Sequence, residues 1–531
     1  MSSSKKKILR KAELMDGEAV HQKPGISGKG KLMILIATGI IAILIIFLVM
    51  LSMGVLHRST TALSVGPLKI SAAEYNFNYF SSVSSYVSNL TNYGITAEQM
   101  QLDVTKPLDQ QPCPVGEEGE TWGDFFREQV ESSLRQTGEL YLEAEAAGYT
   151  LPEESKKSID DSISQLKEYC DSSNISLNRY LTKNYGEGVN EAVVRTALER
   201  IYLVSYYGTE KNESYTFTND EVQKYYNENK SDFDMVDFRS FAISGTPAED
   251  TAPDAAEDTD AENPDDDQAS ADEDNTAATE KAMAEAKQKA DKMLASVTDE
   301  ASFISLALEN AAEDEKETYK KPEATLMTGT YSSQLSEDLS KWLFDDARKK
   351  GDKAVIASDT GYTVVYMLSR YRSPSSTVNV RHILIKPEVP EGTAATDEQK
   401  SAAKTTAEQI YNEWKGGGMT EDSFAELAKQ KSTDPGSAEN GGLYENVYNG
   451  QMTTEFNNWC FDTSRKSGDS GIVETEYGYH IMYFSGKGDD YWTVQVRNTL
   501  VSNAFDDYLA TLEQKYPLKK HSFGMDMTGK L

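Results

Sequence analysis

Two copies of one pattern run through the chain, and this repeat limits its architecture more than any other feature. KWLFDDARKKGDKAVIASDTGYTVVYML at 341–368 matches NWCFDTSRKSGDSGIVETEYGYHIMYFS at 458–485. A constant offset of 117 residues aligns Trp342 with Trp459, Phe344 with Phe461, Arg348 with Arg465, Gly351 with Gly468, and Gly361-Tyr362 with Gly478-Tyr479. Upstream, SFISLA at 302–307 matches SFAELA at 423–428, and VDFRSFAI at 236–243 matches VNVRHILI at 378–385. Each copy reads as strand, helix, helix, short helix, Gly-Asp turn, strand, Gly-Tyr turn and strand. That is an α+β unit of about 110–130 residues, an ordinary domain size. Two such units account for 233–371 and 377–488, and a chain of 531 residues has room for three or four domains in all.

The copies differ where chemistry would reside. The chain has 5 histidines, and two of them, His382 and His480, lie in apolar strands of the second copy, RHILI and GYHIMYF. The first copy has Ser240 and Thr363 in their places. A hydrogen-bonded core histidine is the usual reading of one such residue. Two at matching positions, both replaced in the sister copy, admit a shared site equally well, and pattern alone leaves both readings open.

The net charge of -33 argues against nucleic acid as a partner, because binding its phosphates needs a basic surface. Residues 247–280 hold acidic side chains but no Lys or Arg, amid Ala, Thr and Pro, and are predicted to be a disordered insert in the first copy. They lack the glycine and ligand spacing of a calcium loop. Three cysteines, Cys113, Cys170 and Cys460, form neither a disulfide framework nor a zinc motif.

Residues 32–56 carry no charged side chain and are rich in Ile, Leu, Val and Met. The run is long enough to cross a bilayer as a tilted helix and too long for the apolar region of a cleaved signal. A basic tail at 1–31 precedes it, and only Arg58 closely follows, so the tail is expected to be cytoplasmic and the bulk extracytoplasmic. Repulsion between the acidic bulk and anionic lipid favours a domain held off the membrane. Residues 59–232 read as helical, with helices at 122–147, 152–172, 176–184, 189–208 and 219–228, and with Ser71 and Glu74 as a capping box. Residues 489–531 hold a last helix at about 492–515 and a tail.

The second copy closely resembles the parvulin family. The resemblance rests on VRHILI (380–385), SFAELAKQKSTDPGSAENGGL (423–443), GQMTTEF (450–456) and GDSGIVETEYGYHI (468–481), in that order. It implies a four-stranded antiparallel sheet wrapped by helices, and rotation of peptide bonds that precede proline. Carried over by position, His382 and His480 resemble the family's paired histidines, and Thr475 the hydroxyl bonded to that pair. Asp434 falls beside the substrate carbonyl, and Leu443, Met452 and Phe456 resemble the apolar cup for the proline ring. The family's GGDL is here GGL, without the acid, and YENVY departs from its Gly-aromatic stretch. No basic cluster marks the loop at 385–399, so a phosphate-directed specificity is not expected.

The flanks VGPLKISAAEY and TFTNDEVQKYYNENKSDF resemble PrsA-like and SurA-like extracytoplasmic foldases. This implies an N-terminal chaperone domain, a degenerate and an active parvulin domain in tandem, and a C-terminal helix returning to the N-terminal domain. Its expected partners are unfolded exported polypeptides with X-Pro bonds and the membrane, with a homodimer left open. No bond is broken when an amide rotates, so no cofactor or metal is expected. The competing reading is a non-catalytic holdase that uses parvulin folds as scaffold.

Overall fold

The computed structural model describes residues 54–246, 267–389 and 394–530, with the backbone alone at 267–277. Of the predicted span, only Gly54–Leu56 falls within these residues, and the rest lies outside them together with the basic tail. Among the described residues no helix is long and apolar enough to cross a membrane. The chain divides into two compact units, one running up to Tyr215 and resuming at Asn503, the other spanning Thr216–Ser502.

In the first unit, β1 (Thr61–Val65) and β2 (Leu68–Ser71) form a hairpin, and Leu518–Lys520 adds a third strand on the other side of β1. Helices follow at Ala72–Asn92, Trp122–Ala146, Glu153–Ser172, Leu177–Tyr185 and Glu191–Glu213. Their core is aromatic: Tyr75, Tyr79, Trp122 and Phe126 pack with Leu63 and Ile70 of the hairpin. Ser71 caps its helix by accepting from the Glu74 N–H at 3.1 Å. The Glu74 carboxylate does not complete the predicted capping box. It is buried and pairs with Arg200 instead, because a buried charge is tolerated only with a partner. Cys113 and Cys170 are free, buried thiols. Within this unit Phe505, Leu509 and Leu512, from the last helix (Tyr491–Lys515), pack on Leu140, Leu203 and Tyr207.

The predicted boundary at 232 lies too late. The helix Asn219–Glu228 belongs to the second unit, where Val222, Tyr226 and Phe233 pack with Trp492 and Val496.

The rest of the second unit shows the repeat as two four-stranded antiparallel sheets of identical topology. The first is built from β3 (Asp234–Ser244), β4 (Leu326–Tyr331), β5 (Lys353–Ser358) and β6 (Gly361–Arg372), in the order β4-β3-β6-β5. The second uses β7 (Ser376–Ile385), β8 (Leu443–Val447), β9 (Ser470–Thr475) and β10 (Gly478–Asp490), in the order β8-β7-β10-β9. In the first, Ala242 pairs with Thr363; in the second, Leu384 pairs with His480. The sheets therefore share one register, and Ser240 and Thr363 are the structural counterparts of His382 and His480. The short edge strands β4 and β8 are absent from the sequence-derived order of elements.

Each sheet has one face covered by two helices. In the second copy Ile383, Ile385, Tyr479 and Ile481 meet Ala407, Trp414 and Phe424 of the helices Asp397–Gly416 and Glu421–Lys431. Arg239 and Arg381 staple equivalent strands to equivalent helices, pairing with Glu300 and Glu421 at 2.8 and 2.9 Å. The acidic insert requires correction. Residues 247–266 lie outside the described residues, but Asp267–Ser296 forms one helix, so the predicted disorder does not extend to 280. Alanine is the best helix former, and carboxylates near the start favour the positive end of the helix dipole.

Candidate active site

The other face of the second sheet carries the predicted site. Side chains alternate along a strand, so Val378, Val380 and His382 share the face opposite Ile383 and Ile385. From β10, His480, Met482 and Phe484 join them, and the short helix Thr454–Cys460 closes over the sheet with Phe456.

The two histidines meet. His382 Nδ1 lies 3.0 Å from His480 Nδ1, with the rings stacked at 5.2 Å and 18°. His382 Nε2 lies 3.0 Å from Asp434 Oδ2, and His480 Nε2 lies 2.8 Å from Thr475 Oγ1. Asp434 Oδ2 also accepts from the Ser437 hydroxyl at 2.5 Å and the Tyr444 hydroxyl at 3.1 Å. Hydrogen bonds from His382, Ser437 and Tyr444 hold the Asp434 carboxyl well below the usual carboxylate range, against the effect of burial. An ionised carboxylate can only accept. With one proton on each ring, the ladder therefore runs one way: Thr475 donates to His480 Nε2, His480 Nδ1–H to His382 Nδ1, and His382 Nε2–H to Asp434. The Thr475 oxygen accepts from the Tyr477 N–H at 3.2 Å, which leaves its proton free for His480.

The ladder is buried. His382 and His480 are 3% and 6% exposed. Burial, reinforced by neighbouring His382, pushes His480 down to about 4. Phe456 presses its ring against both imidazoles at near-right angles, with centroids 5.5 and 5.4 Å away. Met452 and Trp459 pack against the same cluster. Cys460 lies beneath it, its thiol pushed up to about 12 by burial and hence unreactive.

Six of the seven predicted residues gather here. Leu443 does not face the pocket. It sits opposite Arg381 across the β7–β8 pair, whereas Tyr444 sits opposite Val380, and residues facing each other across antiparallel strands share a face. Tyr444 thus lines the pocket, its ring 5.2 Å from His382. What reads as a missing acid after Gly441-Gly442 is Leu443 in the acid's place. Ser437, only 2% exposed, is the second residue that the sequence reading missed. Its signal was a hydroxyl three residues after Asp434, on the turn that brings the loop back to the sheet.

Two expectations follow for this domain. Gly442 has φ +73 and its added Cβ would lie 2.1 Å from the His382 carbonyl oxygen. Gly442→Ala should therefore unseat β8 and lower the urea midpoint of the domain, where Gly416→Ala, at an open position without a positive φ, should not. Acid should also weaken it. Between 6.5 and about 4, the unfolded chain holds a proton on His480 that the folded domain does not. That stability is present above 6.5 and is lost as pH falls through the window, by roughly 3 kcal/mol in full. Asp434, also depressed, adds loss in the same direction at lower pH. Hydrogen exchange of β7 and β10 amides at pH 7 and in mild acid reads the change. In the first unit, burial pushes Glu139 up to about 6, so its contribution has the opposite sign: it is lost as pH rises from 4.5 toward 6.

Residues 382–486 match the family model of the Rotamase, PPIC-type PPIase domain. This segment is a PPIC-type PPIase domain. Among curated relatives, the chain is similar to chaperone SurA of Pseudomonas fluorescens, 28% identical over 241 residues, 43% of this chain and 52% of that one. Foldase protein PrsA 1 of Listeria innocua is 28% identical over 166 residues, 31% of this chain and 50% of that one. The chain thus spans about half the length of the curated relatives it matches. The solved PrsA of Bacillus subtilis aligns over 74% of this chain and 88% of its own, at 14% identity and a TM-score of 0.28. The PPIase domain covers the whole second sheet site, from His382 to beyond His480, and stops short of the first copy.

Proposed function

We propose that the chain is a membrane-anchored, extracytoplasmic peptidyl-prolyl cis/trans isomerase and chaperone for exported proteins. The observation that carries the enzymatic part is one hollow with two unlike walls. Phe456, Met452 and Tyr444 form an apolar cup, and the Asp434–His382–His480–Thr475 ladder backs it.

The barrier to rotating the amide is about 18–20 kcal/mol and comes from resonance. Twisting the bond localises the nitrogen lone pair and reduces the charge on the carbonyl oxygen. A site lowers the barrier by binding the twisted amide better than the planar one. The cup would grip the proline ring while the preceding carbonyl turns against the ladder. Two imidazoles whose protons are committed to each other and to Asp434 solvate that oxygen weakly, which favours the twisted state. His382 and His480 act here as orienting groups, and no covalent bond is needed.

The first copy lacks the ladder, and ATLMTGTYSSQLSEDL poorly reproduces the pocket. Leu335, Leu339 and Trp342 pack under its sheet, while Ser240 and Thr363 stand where the imidazoles would be. It serves as spacer or client-binding surface, and Ser240→His with Thr363→His should not produce turnover.

The membrane and export parts rest on the uncharged run at 32–56 and the basic residues before it. The competing holdase reading makes an opposite prediction. Met452→Ala should lower proline-isomer turnover of a short peptide at least about tenfold, a change of 1.4 kcal/mol in transition-state binding. Turnover unchanged by Met452→Ala, with client aggregation suppressed equally by a chain lacking 377–488, would favour the holdase.

A further inference from the structure

In a chain this acidic, one cleft of the first unit is positive, and it is lined by Gly54, within the uncharged run at 32–56. Arg58, Arg179 and Lys183 line a cavity of about 560 Å³, together with Gly54 and a single acidic residue, Glu187. Several other cations of the unit are matched, among them Lys106 with Asp103, Lys167 with Glu191 and Arg195 with Asp160. Arg58 instead gives one N–H to the Gly188 carbonyl at 3.2 Å, which pins the guanidinium to the cleft wall and leaves further donors. Arg179 and Lys183 are exposed on the helix Leu177–Tyr185, with no carboxylate in ion-pair reach among the described residues.

The position of this cleft along the chain gives the charge a meaning. Gly54 is buried, with φ +64, and an added Cβ would lie 2.4 Å from Gly188 Cα. Gly54 is therefore part of the fold while still within the uncharged run at 32–56. At most about 6 Å of helical rise separates Gly54 from Arg58. The headgroup layer on each side of a bilayer is about 5–7 Å thick.

We propose that this cleft docks the phosphate of an anionic phospholipid headgroup, and so sets the first unit against the membrane surface. The proposal rests on the anchored reading. It revises the expectation from net charge, which holds the bulk off the membrane. Repulsion acts on the exposed carboxylates at a distance, whereas a pinned guanidinium and two free cations meet the lipid at contact range, inside a Debye length.

The test uses the full chain in nanodiscs of phosphatidylcholine, with or without phosphatidylglycerol. Co-elution with the discs is scored first; a chain that does not enter them overturns the anchored reading and this proposal together. In discs that hold the protein, phosphatidylglycerol should slow amide exchange across 178–190, and exchange in Trp122–Ala146 should not change. Each cation near an anionic leaflet is worth about fivefold in affinity. Arg179→Glu with Lys183→Glu should abolish the slowing, and Arg179→Lys with Lys183→Arg should keep it. Equal exchange in both kinds of disc would overturn the proposal with the anchor intact. So would inorganic phosphate reproducing the slowing in phosphatidylcholine discs, since the cleft would then be a small-anion site.

Discussion

His382→Ala is expected to abolish proline-isomer turnover and to destabilise the second repeat by about 3–5 kcal/mol. Both effects have one cause. His382 is the inner rung next to the carboxylate, bonding His480 through Nδ1 and Asp434 through Nε2. Its removal leaves a depressed carboxylate short of its principal donor and a buried His480 N–H with nothing to accept it. Thr475→Val should cost less, because it cuts the ladder at its outer end. Peptide turnover and the urea midpoint of the same protein read both quantities. Wild-type turnover in a folded His382→Ala chain would sink the idea that the imidazoles set the polarity of the hollow.

Phe456→Ala should cost a similar amount, about 3–5 kcal/mol, for a different reason. The ring is 3% exposed and contacts both imidazoles edge to face. Its loss opens a cavity beside a polar network and lets water reach it. Phe456→Met separates packing from catalysis, since a flexible thioether refills much of the space that truncation to Ala leaves empty. That variant should stay folded with a raised KM if the ring grips proline. An unchanged KM in a folded Phe456→Met chain would mean that Phe456 supports the ladder without touching substrate.

Much of this was legible in the sequence, for identifiable reasons. Long helices announce themselves by period and punctuation, and 122–147 and 152–172 emerge within a residue of Trp122–Ala146 and Glu153–Ser172. The histidine pair was visible because a sister copy lacked it. The failures are local. One residue of slip in a strand moves every side chain to the other face, and so Leu443 was named where Tyr444 stands. Ser437 lies on a loop whose path only the fold reveals. Glu74 fits a capping box until Arg200, distant in sequence, offers a stronger partner. Composition also misled at 267–280, where acidic residues among alanines support a helix once Met293 and Val297 anchor its far end in the core.

The strand Leu518–Lys520 bears on when the protein can finish folding. It completes the hairpin sheet from the far end of the chain: Ser64 and His521, 457 residues apart, come within 3.0 Å. Both sheets of the second unit draw their strands from one continuous stretch and can close as soon as that stretch is synthesised. β1 must wait, with one edge unpaired and open to wrong partners. The hairpin is therefore made before the sheets of the second unit and completed after them. A ribosome stalled before residue 518 would hold a chain with finished parvulin-like sheets and an unfinished hairpin sheet, open to proteases near β1 until the closing strand arrives.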